Sequence, residues 1–159
     1  MNPEKQDTRP DTKGALVKGL EIRTFVIEDT DQVLEVWNLA GLTTPARNPR
    51  ADIQKKLRHS PESFFVGTLE GKVVATVMVG YDGHRGWIYS LAVRPDQQRK
   101  GIGTQMMEHA ESWLRQQGCP RAKLQVDEAR GDVTGFYKKL GYEVQPLISM
   151  AKWFRVSDS

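Results

Sequence analysis

The segment Val73-Val74-Ala75-Thr76-Val77-Met78-Val79 restricts the possible folds more than any other part of the chain. Successive side chains of a strand point to opposite faces, so a strand built from these residues is apolar on both and belongs at the centre of a sheet covered on each side. Its neighbours agree with that placement. Ser63 to Leu69, the turn pair Glu70-Gly71 and Lys72 to Tyr81 read as a β-hairpin. Asp82-Gly83-His84-Arg85-Gly86 then makes a loop, and Trp87 to Val93 a further strand that Pro95 brings to a close.

A sheet covered on both faces needs helices, and the sequence supplies them. Glu28 to Asp31 provides the cap and first-turn acids of a helix with Val33, Val36, Trp37 and Ala40 on one face and Gly41 at its end. Leu42 to Pro49 reads as a loop. Ile53 and Leu57 then mark a short amphipathic helix, stopped at Ser60-Pro61, that could line a cleft. Ile102, Met106, Ala110, Trp113 and Leu114 form the longest helical stripe, which Gly118 caps. Leu20 and Ile22 lie in a first strand and Lys123 to Val126 in another. Thr134 to Leu140 forms a short helix ended by Gly141, and Val144 to Phe154 is expected to close the sheet. The expected class is therefore mixed α/β (α+β), and a pure Rossmann succession is excluded.

Residues 1–19 mix charges with prolines and glycines around a single short apolar run, so they are expected to form a flexible tail, with residues 20–159 as one domain. The chain's 159 residues suffice for one core, and its 38% hydrophobic and 27% charged content excludes disorder throughout. Mean hydropathy is −0.54 and the longest apolar runs fall far short of a membrane span, so no membrane association is expected. A net charge of +3 and a pI near 9.0 suit an anionic ligand. The basic pairs Lys55-Lys56, Arg99-Lys100 and Lys138-Lys139 are dispersed without an aromatic-basic stripe, which argues against nucleic acid. Cys119 is the single cysteine and the N-terminus lacks an apolar signal core, so a cytoplasmic setting is expected, with no disulfide and no cysteine-based zinc site.

The chemistry concentrates in Leu91-Ala92-Val93-Arg94-Pro95-Asp96-Gln97-Gln98-Arg99-Lys100-Gly101-Ile102-Gly103, a strand that runs through a short loop into the start of the longest helix. First-turn N–H groups lack intrahelical partners and attract anions. Gly101 and Gly103 carry no Cβ to hold a phosphate away from the backbone, and Arg99 and Lys100 add positive charge. Two glycines alone are a weak signal. A Walker loop needs Gly-Lys-Ser/Thr at its end, and the dinucleotide fingerprint needs a third glycine where this chain has Met106.

Gln98-Arg99-Lys100-Gly101-Ile102-Gly103 resembles the pyrophosphate loop of motif A in the GNAT acetyltransferase superfamily, Gln/Arg-x-x-Gly-x-Gly/Ala. Leu91 to Pro95 is similar to that family's fourth strand. Phe136-Tyr137-Lys138-Lys139-Leu140-Gly141-Tyr142 is similar to the end of its motif B, and the Gly80-to-Gly86 loop resembles the bacterial YpeA-like subgroup.

The resemblance implies a mostly antiparallel central sheet with splayed parallel strands 4 and 5 and helices on both faces. It implies transfer of an acetyl group from acetyl-CoA to a primary amine by direct attack in a ternary complex, with no metal. Backbone groups of Leu91 and Val93, flanking Ala92, would bind the pantetheine amides. Gln98 and the N–H groups of Arg99, Lys100, Gly101, Ile102, Gly103 and Thr104 would hold the pyrophosphate. Tyr137 matches the tyrosine that protonates the departing thiolate, and a phenol with an ordinary pKa of about 10 keeps its proton at neutral pH. Where the family often has an Asn that contacts the cofactor, this chain has Arg130.

No carboxylate occupies the strand positions where many relatives keep a general base, which leaves Asp82, Glu128 or a water relay. Asp82, His84 and Tyr89 are the candidates for contact with the acceptor, a small-molecule or peptide amine, and the protein is expected to be a monomer or homodimer. Two rival readings are an acyl-CoA-binding sensor without catalysis and a basic nucleic-acid-binding module.

Overall fold

A computed structural model describes residues 16–44, 46–128 and 133–155. Five strands, β1 (Leu20–Thr24), β2 (Phe64–Leu69), β3 (Lys72–Tyr81), β4 (Gly86–Val93) and β5 (Ala122–Lys123), lie side by side in chain order. Every pairing is antiparallel except β4 with β5. The β2–β3 turn is tight because Glu70 and Gly71 both adopt positive φ, 49° and 77°, which suits the twist of a two-residue hairpin.

Central strand β3 is buried from Val73 to Val79, as its two apolar faces require. Ala75, Val77 and Val79 face α3 (Ile102–Gln116), packing with Ile102, Met106, Met107, Ala110 and Leu114. Val73 and Met78 face α1 (Thr30–Leu39) and α2 (Pro49–His59), where Val33, Val36, Trp37 and Ile53 complete a second core with Phe25 and Phe64. Helix α4 (Thr134–Lys139) follows β5. No helix among the described residues is long and apolar enough to cross a membrane.

Three local features differ from the sequence reading. β5 spans Ala122–Lys123, without the expected extension to Val126. Val144 to Phe154 forms no strand. The segment turns at Pro146, where Leu147 N–H donates to the Gln145 carbonyl (2.9 Å), and proline cannot donate to a sheet ladder. Gln125 Nε2 still donates to Ser149 Oγ (2.7 Å), while Ile148, Met150 and Trp153 stay at least nine-tenths exposed. At the other end Val17 packs against the α3-side core, and its N–H donates to Gln105 Oε1 (2.9 Å).

Candidate active site

Strand β4 is interrupted by a bulge. Ala92 lies opposite Thr76 and Tyr89 opposite Met78, so Ser90 and Leu91 together face Val77, and Ser90 takes a left-handed φ of 52°. A buried chain of hydrogen bonds holds it there: Trp37 Nε1 donates to Thr76 Oγ1 (2.8 Å), and that hydroxyl donates to the Ser90 carbonyl (2.9 Å). A bulge bends and twists its strand. β4 pairs with β5 only at Gly86–Ala122 and Trp87–Lys123, and from Ile88 onward that edge of β4 has no strand beside it among the described residues.

The open edge leads to the start of α3. Arg94 N–H donates to the Val74 carbonyl (2.8 Å), so by antiparallel alternation the N–H and C=O of Val93 point away from β3, toward the open side. Gln98 Nε2 donates to that Val93 carbonyl (3.0 Å) and folds the loop back onto β4. Arg99 (φ 63°) and Gly101 (φ 91°) adopt left-handed conformations, and successive N–H groups in such a turn make a concave anion nest. No side chain caps α3 at Gly101, so its first-turn N–H groups lack a capping acceptor there. Lys100 Nζ donates to Gln97 Oε1 (2.9 Å), and the Arg99 and Lys100 side chains are exposed beside the nest.

Ile102 points into the core, and Thr104 is half-buried on the first turn. At Gly103 a Cβ would stand 3.3 Å from Phe136 Cζ and 3.8 Å from Val93 Cγ2. A side chain there would crowd Phe136, so glycine eases the approach of α4 as well as that of any ligand. Through this contact Phe136 brings α4 to the junction of β4 and α3. Tyr137, next in sequence, is half-buried with its ring centroid 5.0 Å from Phe136 and 6.0 Å from Tyr142. Tyr142 donates its hydroxyl to Glu111 Oε2 (2.7 Å), and burial, reinforced by that carboxylate, pushes its phenol pKa up. Arg130 lies outside the described residues.

The acceptor candidates do not converge. Asp82 and His84 are exposed in the β3–β4 turn, at the end of β4 remote from the start of α3, and eight residues of strand separate the two ends by about 23 Å at roughly 3.3 Å per residue. Asp82 Oδ1 accepts the N–H groups of His84 (2.7 Å) and Arg85 (2.6 Å), which holds its carboxyl below the usual range and builds the turn. Tyr89 sits next to the bulge, partly exposed, with Lys56 Nζ 5.5 Å from its ring centroid, and burial raises its phenol pKa. Glu128 is exposed.

On the α1–α2 side, Trp37, Leu42, Arg47, Pro49, Asp52 and Ser90 line a small cleft against the bulge. Sequence reasoning passed over Arg47 and Asp52. A loop arginine and a first-turn aspartate ordinarily serve the solvated surface and the helix dipole, and they are far from Ser90 along the chain. Among the described residues no group of three or more His, Cys, Asp and Glu side chains is placed to hold a metal ion.

The pattern described as the Acetyltransferase (GNAT) family matches residues 24–142. An acetyltransferase of Yersinia pestis (strain Pestoides F) is 40% identical over 133 residues, covering 84% of this chain and 94% of that protein. The crystal structure of Ard1 from Thermoplasma volcanium superposes with a TM-score of 0.68 at 27% identity, covering 80% of this chain and 84% of that one. A GNAT family acetyltransferase from Brucella melitensis, crystallised with acetyl-CoA, shares the fold at 20% identity, with a TM-score of 0.60 and coverage of 79% and 83%. The open edge of β4 and the uncapped glycine-rich start of α3 fit an extended amide chain ending in a pyrophosphate, and with the match across residues 24–142 they place the chain in the GNAT acetyltransferase family, as an N-acetyltransferase that uses acetyl-CoA.

Proposed function

We propose that acetyl-CoA lies along the open edge of β4 with its pyrophosphate on the loop from Gln98 to Thr104, and that a primary amine attacks the thioester directly in a ternary complex. The observation that carries this reading is adjacency: the edge of β4 that has no strand partner among the described residues leads through the loop from Arg94 to Gly101 to a helix start with no side-chain cap, flanked by Arg99 and Lys100. Acetyl-CoA supplies an activated acyl group as a thioester. Val93 N–H, and the neighbouring backbone of Leu91 across Ala92, orient the pantetheine. The N–H groups of Arg99 to Thr104 bind the phosphates, and Gln98 braces the loop. The amine nitrogen bonds the carbonyl carbon and sheds a proton to solvent. As the carbon–sulfur bond breaks, Tyr137 donates the proton that neutralises the thiolate.

Asp82 is not assigned as the base, because its carboxylate is engaged in the β3–β4 turn. The YpeA-like affiliation rests on the Gly80-to-Gly86 loop, and a monomer or homodimer suffices for the proposed chemistry.

Arg99→Glu tests the placement. Arg99 is exposed, so charge reversal leaves the fold intact while opposing the phosphates. Acetyl-CoA affinity, read by calorimetry and by the ligand-induced rise in melting temperature, is expected to fall at least about tenfold, the effect of roughly 1.4 kcal/mol. Unchanged affinity in the folded variant would place the pyrophosphate elsewhere.

A further inference from the structure

Helix α4 has six residues and no side-chain cap at Val133. A helix of that length is marginal in water by itself, so contacts from outside decide where it lies. Two of them tie it to α3. Phe136 packs over Gly103 in the first turn of α3, and Tyr142, just beyond the end of α4, donates its hydroxyl to Glu111 Oε2 at 2.7 Å. Gly103 and Glu111 are eight residues apart, about 12 Å along the helix axis at 1.5 Å per residue, so the two anchors fix the direction of α4 as well as its distance from α3.

Tyr137 lies between these anchors in the chain. Its carbonyl accepts the N–H groups of Leu140 and Tyr142, both at 3.0 Å, in a turn that Gly141 closes at a φ of 92°. Its ring meets two others edge-on: that of Phe136 at 5.0 Å and 69°, and that of Tyr142 at 6.0 Å and 74°. One of these neighbours is fixed by packing and the other by a hydrogen bond. The Glu111 carboxylate is half-buried with Arg115 Nη2 3.9 Å from its other oxygen, and a hydroxyl donating to an ionised acceptor makes a stronger hydrogen bond than a neutral pair does. The Tyr142 proton is committed to that bond, which makes Tyr142 a support for its neighbour.

We propose that Glu111 and Tyr142 are positioning residues for acetyl transfer: their hydrogen bond fixes the Tyr142 ring, and that ring holds the Tyr137 phenol in one orientation as the thiolate departs. This inference rests on Tyr137 as the proton donor. Both residues act through it, and a displacement of about 1 Å in a reacting group can cost as much as about 10²-fold in rate.

The test uses the full chain with its tyrosines carrying 13C at Cζ. There are four tyrosines, so Tyr137→Phe and Tyr142→Phe assign both resonances, while the Tyr81 and Tyr89 signals report that each variant is folded. The Tyr137 carbon is expected to give one sharp line in the parent and a broadened or split line in Tyr142→Phe and Glu111→Ala. Glu111→Gln restores the sharp line, because its amide oxygen still accepts the hydroxyl proton. Thiol release from acetyl-CoA is measured with L-lysine, spermidine and alanyl-alanine as amine probes. With the fastest probe, kcat is expected to fall about tenfold in Tyr142→Phe and Glu111→Ala and to stay within about threefold of the parent in Glu111→Gln, with acetyl-CoA affinity unchanged by calorimetry. Orientation matters only while the proton donor is present, so the double variant Tyr137→Phe, Tyr142→Phe is expected to be at most about twofold slower than Tyr137→Phe, a result that a merely structural loss does not produce. An unchanged Tyr137 line in Tyr142→Phe overturns the positioning role whether or not a probe is turned over, and losses that multiply in the double variant do the same. Turnover of Tyr137→Phe within about threefold of the parent removes the proton donor and the positioning role together.

Discussion

Phe136 and Tyr137 are adjacent in α4 but meet different surroundings. Phe136 fills the space that Gly103 leaves, so the neighbouring phenol is not required for that contact. Tyr137→Phe therefore keeps the ring and its packing while deleting the proposed proton donor. Turnover is expected to fall about 10²-fold when chemistry limits the rate, the lower end for positioned acid catalysis, with acetyl-CoA affinity unchanged. Turnover within about threefold of the parent would leave Tyr137 as a packing residue.

Lys56 makes a different residue-level prediction. Its buried ammonium donates to Ser60 Oγ (2.7 Å), Ser63 Oγ (2.9 Å) and the Val79 carbonyl (2.5 Å). Burial pushes its pKa down from 10.5 to about 8, against the opposing pull of Glu62. Between those values the unfolded chain binds more protons than the folded one, so this group's contribution to stability rises with pH across that window. Relative to Lys56→Met, the parent is expected to gain about 1–3 kcal/mol in urea unfolding between pH 7 and pH 10. A difference that stays constant with pH would contradict the assignment.

At the scale of the element, β4 has two roles that its bulge separates. Its first residues pair with both neighbouring strands, while its later residues pair with β3 and leave the other edge open. Ser90 occupies the point of change at φ 52°, a conformation that disfavours a β-branched side chain. Ser90→Val is expected to cost about 1–3 kcal/mol of stability and to weaken acetyl-CoA binding by pulling the strand toward regular pairing. Ser90→Gly should stay within about 1 kcal/mol of the parent, because relief of strain offsets added chain entropy. Chemical unfolding of the two variants checks both values, and equal losses would show that the backbone conformation is not the cause.

At the scale of the molecule, the sheet separates two apolar cores, and the end of the N-terminal segment reaches one of them. Val17 packs beside α3 and bonds to Gln105, whereas residues 1–15 have a composition poor in core-forming side chains. Removing residues 1–15 is expected to leave melting temperature and acetyl-CoA binding unchanged. Extending the deletion through Gly19 should cost about 1–2 kcal/mol through the lost apolar contact and hydrogen bond. Equal melting temperatures for the two truncations would show that the Val17 contact contributes nothing.

Periodicity and turn chemistry are local properties, and whatever depends on them was legible in the chain alone. The two apolar faces of Val73–Val79 demanded a covered central strand, Glu70-Gly71 marked the hairpin, and Gly101-Ile102-Gly103 marked the start of α3. Pairing depends on residues distant in sequence. The stretch from Val144 to Phe154 looks like a strand in isolation, yet it turns at Pro146 and joins no strand of the sheet among the described residues. The second reason for Gly103 belongs to Phe136, thirty-three positions later, and the left-handed Ser90 is held by hydrogen bonds that begin at Trp37. Arg47 and Asp52 share a cleft with Ser90 because α1 and α2 pack onto the same face of the sheet. Sequence alone specified the elements and the anion-binding turn. Only packing decided where the sheet opens and which charges meet beside the opening, because those outcomes depend on contacts between segments that no local pattern encodes.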